Sequence, residues 1–368
     1  MSTIPSELPF VSIAKPLIGD AEKAAVMAVL ESGMLAQGKR VAEFEARFAE
    51  LCQVKEAVAV ASGTAALWLS LMAHDIGPGD EVITTPFSFI ASSNCILYVG
   101  ATPVFVDIEP DTCLIDASAV QSKITERTRA LLPVHLYGQP CDVAPLVELA
   151  ERYNLVLVED ACQAHGATYQ GRPAGSFGTG TFSFYPTKNM TTGEGGIVTT
   201  NDETLAERMR VLRNHGQSQR YRHDVLGYHF RSSDLQAAIG LAQMDRLSEW
   251  NAQRVANATY LSERLEGVQT PVVREGRTHV YHQYTIRVPA DKRDALQAHL
   301  RQANIGTAVH YPLPIHRQPL YQSLGYKDDL PNAQTAAQTV LSLPIHPALS
   351  QSDLDRIVEG VNGFFAAG

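Results

Sequence analysis

GTFSFYPTKNMTTGEGGIVTT, residues Gly180–Thr200, predicts a short apolar strand over Thr181–Tyr185, a turn opened by Pro186, a lysine, a flexible Thr/Gly run and a second strand. Lys188 is the only Lys or Arg between Arg172 and Arg208. A cation isolated among Ser, Thr, Gly and aromatic residues at the mouth of a strand is poorly placed for surface solvation. Chemistry that needs a lysine amine, such as a Schiff base to an aldehyde, requires that kind of environment. A loop lysine pointing at water fits the same stretch equally well. The rest of the chain decides.

The 368 residues, 45% hydrophobic, suffice for a large core in two domains, and we expect 1–249 and 250–368. Thirty Lys and Arg against 39 Asp and Glu give a net charge of −9, which argues against a nucleic-acid surface. No apolar run reaches membrane-spanning length, and the first twenty residues lack a basic region followed by an apolar segment. The five cysteines are scattered without Cys-x-x-Cys spacing, which fits reduced thiols in a cytoplasmic protein and gives no metal site.

Strands and helices alternate through the first two thirds. Ala57–Ala61 reads as a small buried strand, followed by Ser62-Gly63-Thr64 and an apolar helix from Thr64. A helix start there presents free N–H groups and the positive dipole end to an anion, or is simply an N-cap. EVITT (Glu81–Thr85) is a strand that leads into Phe87 and Phe89, either of which is a core residue or a stacking surface for a flat ring. The alternation implies an α/β fold with a largely parallel sheet covered on both faces, whose ligands gather beyond the carboxyl ends of the strands. LVLVEDACQAHGA (Leu155–Ala167) delivers Glu159 and Asp160 to a strand end. Glu159 reads as a cap on a following helix; Asp160 is better placed to meet a bound group and hold a ring nitrogen protonated. His165 reads as a hydrogen-bonded core histidine. The Arg-, His- and Tyr-rich stretch Arg213–Arg231 is a binding loop or an interface rim. A helix from Ser233 and a separate polar helix from Trp250 to Leu265 follow, then strands over Tyr281–Val288 and Thr307–His310 in a smaller α/β region.

An isolated lysine, a strand-end aspartate, a Gly-Thr helix start and an aromatic beyond a strand are together the parts that hold pyridoxal phosphate. A short-chain dehydrogenase would also place Tyr and Lys on one segment. Here Tyr185 and Lys188 are three apart in a loop, and no Gly-x-Gly-x-x-Gly follows the first strand.

ASGTAAL, VEDACQAHGA, SFYPTKNMTTGEGG and SSDLQAAIG occur in that order. In these motifs the chain resembles the DegT/DnrJ/EryC1/StrS family of sugar-nucleotide aminotransferases, of the fold type I architecture, over nearly its whole length. The resemblance implies that Lys188 is the Schiff-base lysine, Asp160 pairs with the pyridine nitrogen and Gln163 contacts the phenolic oxygen. It also implies that Gly63, Thr64 and Ser183 bind phosphate and that Phe89 stacks on the ring. Related dehydratases carry His where this chain has Lys188, so amino transfer is expected. Family members usually read Gly-Tyr-Asn-Tyr-Arg where this chain has Gly-Tyr-His-Phe-Arg (Gly227–Arg231), and that Asn reaches the phosphate of the neighbouring subunit's cofactor. His229 either replaces the contact or has lost it.

The implied reaction is ping-pong transamination. L-glutamate gives its amino group, leaves as 2-oxoglutarate, and the pyridoxamine phosphate form aminates a nucleotide-linked keto sugar. His310, Tyr311 and His316 in HYPLPIHRQ resemble the sugar-reading loop of carbon-3 enzymes, and Arg231 is a further substrate-binding candidate. A 4-keto sugar, a cyclitol ketone of the scyllo-inosose type, and a non-catalytic cofactor-binding regulator are the alternatives. A homodimer with active sites at the subunit interface is the implied assembly.

Overall fold

The computed structural model describes residues 9–367; the ends of the two expected domains and the first eight residues of the N-terminal stretch lie outside them. Its frame is a seven-stranded sheet: β1 (Glu56–Val60), β2 (Glu81–Thr84), β3 (Thr102–Phe105), β4 (Thr128–Leu132), β5 (Val156–Asp160), β6 (Thr179–Ser183) and β7 (Gly196–Thr200). They lie in the order β1-β7-β6-β5-β4-β2-β3. β3, β2, β4, β5 and β6 are mutually parallel, and β7 runs antiparallel between β6 and β1. The carboxyl ends of β1, β2, β4, β5 and β6 therefore open on one edge, where an α/β sheet collects its ligand.

Residue alternation sorts the side chains. In β6 and its extension, Phe182 and Phe184 point to one face and Ser183 to the other. The two phenylalanines meet Phe44 and Phe48 of the helix Lys39–Leu51 edge-on, with centroids 4.9 Å (Phe48–Phe182) and 5.2 Å (Phe44–Phe184) apart. The opposite face is covered by the helix Gly63–Ala73, which is buried on nearly every side. Its apolar run lacks a polar stripe because it is packed between the sheet and the helices Ala91–Tyr98 and Glu203–Arg213.

A second core forms around the antiparallel pair β8 (Tyr284–Arg287) and β9 (Val340–Leu343), with Leu296, Leu300, Ile357 and Val361 packed on it from two helices. Several expected elements differ. The helices expected on either side of Trp250 are one helix, Asp234–Ser262 (29 residues), in which Leu247, Trp250, Arg254 and Leu261 stay buried through the polar stretch. Thr307–His310 makes only a bridge, Ala308 to Ser342, and β9 follows a helix that stops at Thr339. Ile315, Tyr321, Leu330 and Ala333 pack into the core of the large sheet. Among the described residues, no helix is long and apolar enough to cross a membrane, and no group of three or more His, Cys, Asp or Glu is arranged to hold a metal.

Candidate active site

At the carboxyl edge of the sheet lies a cleft of about 570 Å³. Gly63, Thr64, Phe89, Asp160 and Gln163 line it, as do Ser183, Lys188, His310 and Tyr311. The helix that begins this wall starts at Gly63 rather than Thr64. Ser62 is its cap, accepting from the Ala65 N–H at 3.1 Å, so Gly63 and Thr64 form the first turn facing the cleft. A Cβ at Gly63 would stand 2.6 Å from Ser183 Cβ, so only glycine lets the helix start approach β6 this closely.

Asp160 ends β5 and is 4% exposed. Its Oδ2 accepts from Ser92 Oγ at 2.7 Å and its Oδ1 from the Cys162 N–H at 3.2 Å. Glu159, one residue earlier, points through the sheet to the other side. It does not cap a helix: it is fully buried and accepts from His135 Nε2 (3.0 Å) and from the N–H groups of Gly175 (3.0 Å), Phe177 (2.7 Å) and Gly178 (2.9 Å). Burial pushes its carboxyl up, but the His135 and backbone donors outweigh this and hold it below the usual carboxylate range.

Among the described residues Lys188 has no ion-pair partner. Burial lowers its pKa, opposed by Cys162 and Asp160. The next residue pins its loop, as Asn189 Nδ2 donates to the Val280 carbonyl at 2.9 Å. Gln163 is held from both sides: its Oε1 accepts from the Tyr137 N–H (2.7 Å) and its Nε2 donates to Tyr311 Oη (3.3 Å). His310 bonds Ser342 Oγ through Nδ1 at 2.9 Å, and burial then Lys188 lower its pKa to about 4. Phe89 presents its ring at the mouth, 57% exposed, while Phe87 is fully buried in the core. His165 is buried against Phe182 and Phe184 with its pKa lowered to about 3, chiefly by burial.

Three candidates lie outside this lining. His229 is exposed, its Nε2 2.8 Å from Arg231 Nη2, while Arg231 Nη1 donates to Asn214 Oδ1 at 2.5 Å. The segment bearing them is tied to the end of β1 by the Ala61 N–H to Phe230 carbonyl bond of 2.9 Å. His316 is buried near Phe105, with ring centroids 6.2 Å apart, away from the cleft. Arg213, the first residue of the basic stretch, is also not free to meet a ligand. It is 3% exposed, paired with Glu45 at 2.5 Å and bonded to the Ala59 carbonyl at 2.6 Å.

The sequence reading missed Ser92, Glu194 and His282, all of which line the cleft. His282 follows Tyr281, which sits at φ 44°, and burial followed by Lys188 lowers its pKa well below the ordinary value. His-Gln within an expected strand carried no signal for a cleft residue.

This donor set fits pyridoxal phosphate: a half-buried amine, a carboxylate with both oxygens held, and a helix start narrowed by a required glycine where a dianion would sit. The fold and site together define a fold type I, pyridoxal phosphate-dependent aminotransferase. The chain belongs to the DegT/DnrJ/EryC1/StrS aminotransferase family, whose model matches residues 16–362. It is 46% identical over 345 residues to a pleiotropic regulatory protein of Geobacillus stearothermophilus, with 92% of each chain covered. It is 44% identical over 344 residues to the dTDP-3-amino-3,4,6-trideoxy-alpha-D-glucose transaminase of Streptomyces venezuelae, covering 92% of this chain and 90% of that one. Among solved structures, the putative sugar aminotransferase Spr1654 of Streptococcus pneumoniae in its PMP form superposes with a TM-score of 0.92 at 30% identity, covering 97% and 98% of the two chains. The protein is a sugar aminotransferase that uses pyridoxal phosphate.

Proposed function

We propose that the protein transfers the amino group of L-glutamate to carbon 3 of a nucleotide-linked keto-deoxysugar by ping-pong transamination. The observation that carries this reading is one cleft holding Lys188, without an ion-pair partner among the described residues, Asp160 with both oxygens bonded, and the Gly63–Thr64 helix start. When bound, the cofactor supplies an electron sink for the amine-bearing carbon of the substrate. Lys188 is the amine that would hold the cofactor, and burial, which lowers its pKa, suits it to take and return a proton at the amine-bearing carbon. Asp160 would keep the ring nitrogen protonated, Gln163 would meet the phenolic oxygen, and Phe89 would cover the ring. Gly63, Thr64 and Ser183 would hold the phosphate.

His310 and Tyr311 read the sugar at the open side, and the 3-amino sugar named for the Streptomyces venezuelae relative supports carbon 3 over carbon 4. Arg231 and His229 lie outside the cleft lining within one chain, on the segment tied to the end of β1. In a homodimer they serve the neighbouring subunit's site, with His229 at the cofactor phosphate. His316 contributes by packing the HYPLPIHRQ loop rather than by touching sugar. Cytoplasmic location and the division into units 1–249 and 250–368, with the boundary inside the helix Asp234–Ser262, belong to the same proposal.

The test is a panel of nucleotide-linked 3-keto and 4-keto hexoses and scyllo-inosose, each mixed with the glutamate-treated enzyme. Amination of a 3-keto hexose is expected. Turnover only with a 4-keto hexose or the cyclitol refutes the carbon-3 reading, and no conversion of the cofactor by glutamate refutes the donor.

A further inference from the structure

We propose that Ser92 is a positioning residue for the transamination, fixing the Asp160 carboxylate and the Phe89 segment to one another around the bound cofactor. Ser92 is 2% exposed and lies on the cleft wall at the start of the helix Ala91–Tyr98, which follows the loop after β2. Asp160 belongs to β5, so the 2.7 Å bond between them joins two elements that no backbone bond connects at this depth. Ser92 Oγ also stands 3.1 Å from Ser88 Oγ and 3.1 Å from the Phe89 carbonyl.

A hydroxyl has one proton to give. The short contact to a charged acceptor is the stronger claim on it. Ser92 therefore donates to Asp160 Oδ2, and the one proton of Ser88 Oγ is shared between Ser92 Oγ and the Phe89 carbonyl, each 3.1 Å away, in a chain Ser88–Ser92–Asp160. With Oδ1 taken by the Cys162 N–H, the carboxylate cannot rotate about its Cβ–Cγ bond without losing a donor. Ser88 and Ser92 flank Phe89, so the same chain sets where that ring emerges at the mouth. This rests on the reading of Asp160 as the partner of the cofactor's ring nitrogen.

The test uses the holoenzyme and three variants at this position: Ser92→Ala, Ser92→Cys, which nearly preserves volume, and Ser92→Thr, which keeps the hydroxyl. Two quantities are read: the dissociation constant of pyridoxal phosphate, and the pH at which the bound cofactor's visible absorbance changes. Ser92→Ala and Ser92→Cys are expected to weaken cofactor binding about tenfold and to displace that pH midpoint, with Ser92→Thr within about twofold of the parent. In an Asp160→Asn background, Ser92→Ala is expected to add less than about twofold, because the two act as one unit. Parent-like behaviour of both Ser92→Ala and Ser92→Cys overturns the proposal. So does a Ser92→Thr defect equal to that of Ser92→Ala, or a full Ser92→Ala effect in the Asp160→Asn background. If Asp160→Asn alone binds and titrates like the parent, the reading of Asp160 fails and the proposal with it. A normal Ser92→Ala beside an impaired Asp160→Asn removes the proposal only.

Discussion

Replacing Glu159 with glutamine separates charge from shape in the buried network behind the cleft. The parent carboxylate receives four donors, two on each oxygen: Phe177 and Gly178 N–H on Oε1, His135 Nε2 and Gly175 N–H on Oε2. His135 cannot invert its role, because its Nδ1 already accepts from the Cys141 N–H at 3.2 Å. In Glu159→Gln the amide NH2 must therefore face one of these donor pairs, leaving two buried N–H groups without an acceptor. Each buried donor left unsatisfied costs about 1–3 kcal/mol, so the two together cost about 4 kcal/mol. Unfolding entropy for 368 residues melting as one unit corresponds to about 0.8 kcal/mol per degree, so a loss near 4 kcal/mol lowers Tm by about 5 °C. The pH dependence has a definite sign. The folded carboxyl lies below its unfolded value of 4.5, so its stabilisation is complete above 4.5 and is lost as pH falls through the folded value. Scanning calorimetry of both proteins should show the full gap at neutral pH and a narrowing gap below 4.5. A variant that melts within about 1 °C of the parent at neutral pH, or a gap that widens on acidification, refutes the reasoning.

Lys188→Ala should abolish multiple turnover, and borohydride should no longer fix the cofactor to the chain; unchanged turnover would sink the assignment. Gly63→Ala drives a Cβ to 2.6 Å from Ser183 Cβ and 3.1 Å from Cys162 Sγ, so the helix start must shift. Fluorescence titration should then show cofactor affinity down about tenfold, in keeping with overpacking costs of about 1–3 kcal/mol. His310, with its pKa lowered to about 4, is neutral throughout the physiological range. The glutamate half-reaction should therefore show no inflection from it at higher pH, and an inflection near neutrality that His310→Gln removes would contradict this.

The sheet and its mouth were legible because parallel strands buried on both faces read as apolar runs, and Val156–Asp160 is such a run ending in two acids. Telling the acids apart needed only the two-residue period of a strand, which sends Glu159 and Asp160 to opposite sides. Glu159's purpose was not legible, since its partners come from His135 and the Gly175–Gly178 turn, distant in sequence. Phe87 and Phe89 show the same limit: both follow β2 in Pro-Phe-Ser-Phe, and only the packed core separates the buried ring from the exposed one. The break expected at Trp250 arose from composition. Polar residues crowd the exposed side there, yet Leu247, Trp250, Arg254 and Leu261 keep helical spacing, so periodicity was the better guide.

Residues of the basic stretch diverge because charge alone does not state a partner. Arg213 turns inward to Glu45 and the Ala59 carbonyl, holding the last helix turn against β1. Arg231 and His229 stay at the surface beside the same strand's end. Since β1 leads directly into Ser62 and the Gly63–Thr64 helix start, the Arg213 pair supports that wall of the cleft from behind. His229 is exposed and Arg231 half-buried, the arginine bonded to Asn214 and His229 rather than to a carboxylate. One basic stretch thus divides between a buried arginine that braces the strand before the helix start and residues that stay nearer the surface, and the division follows which side chain finds a carboxylate within its own fold.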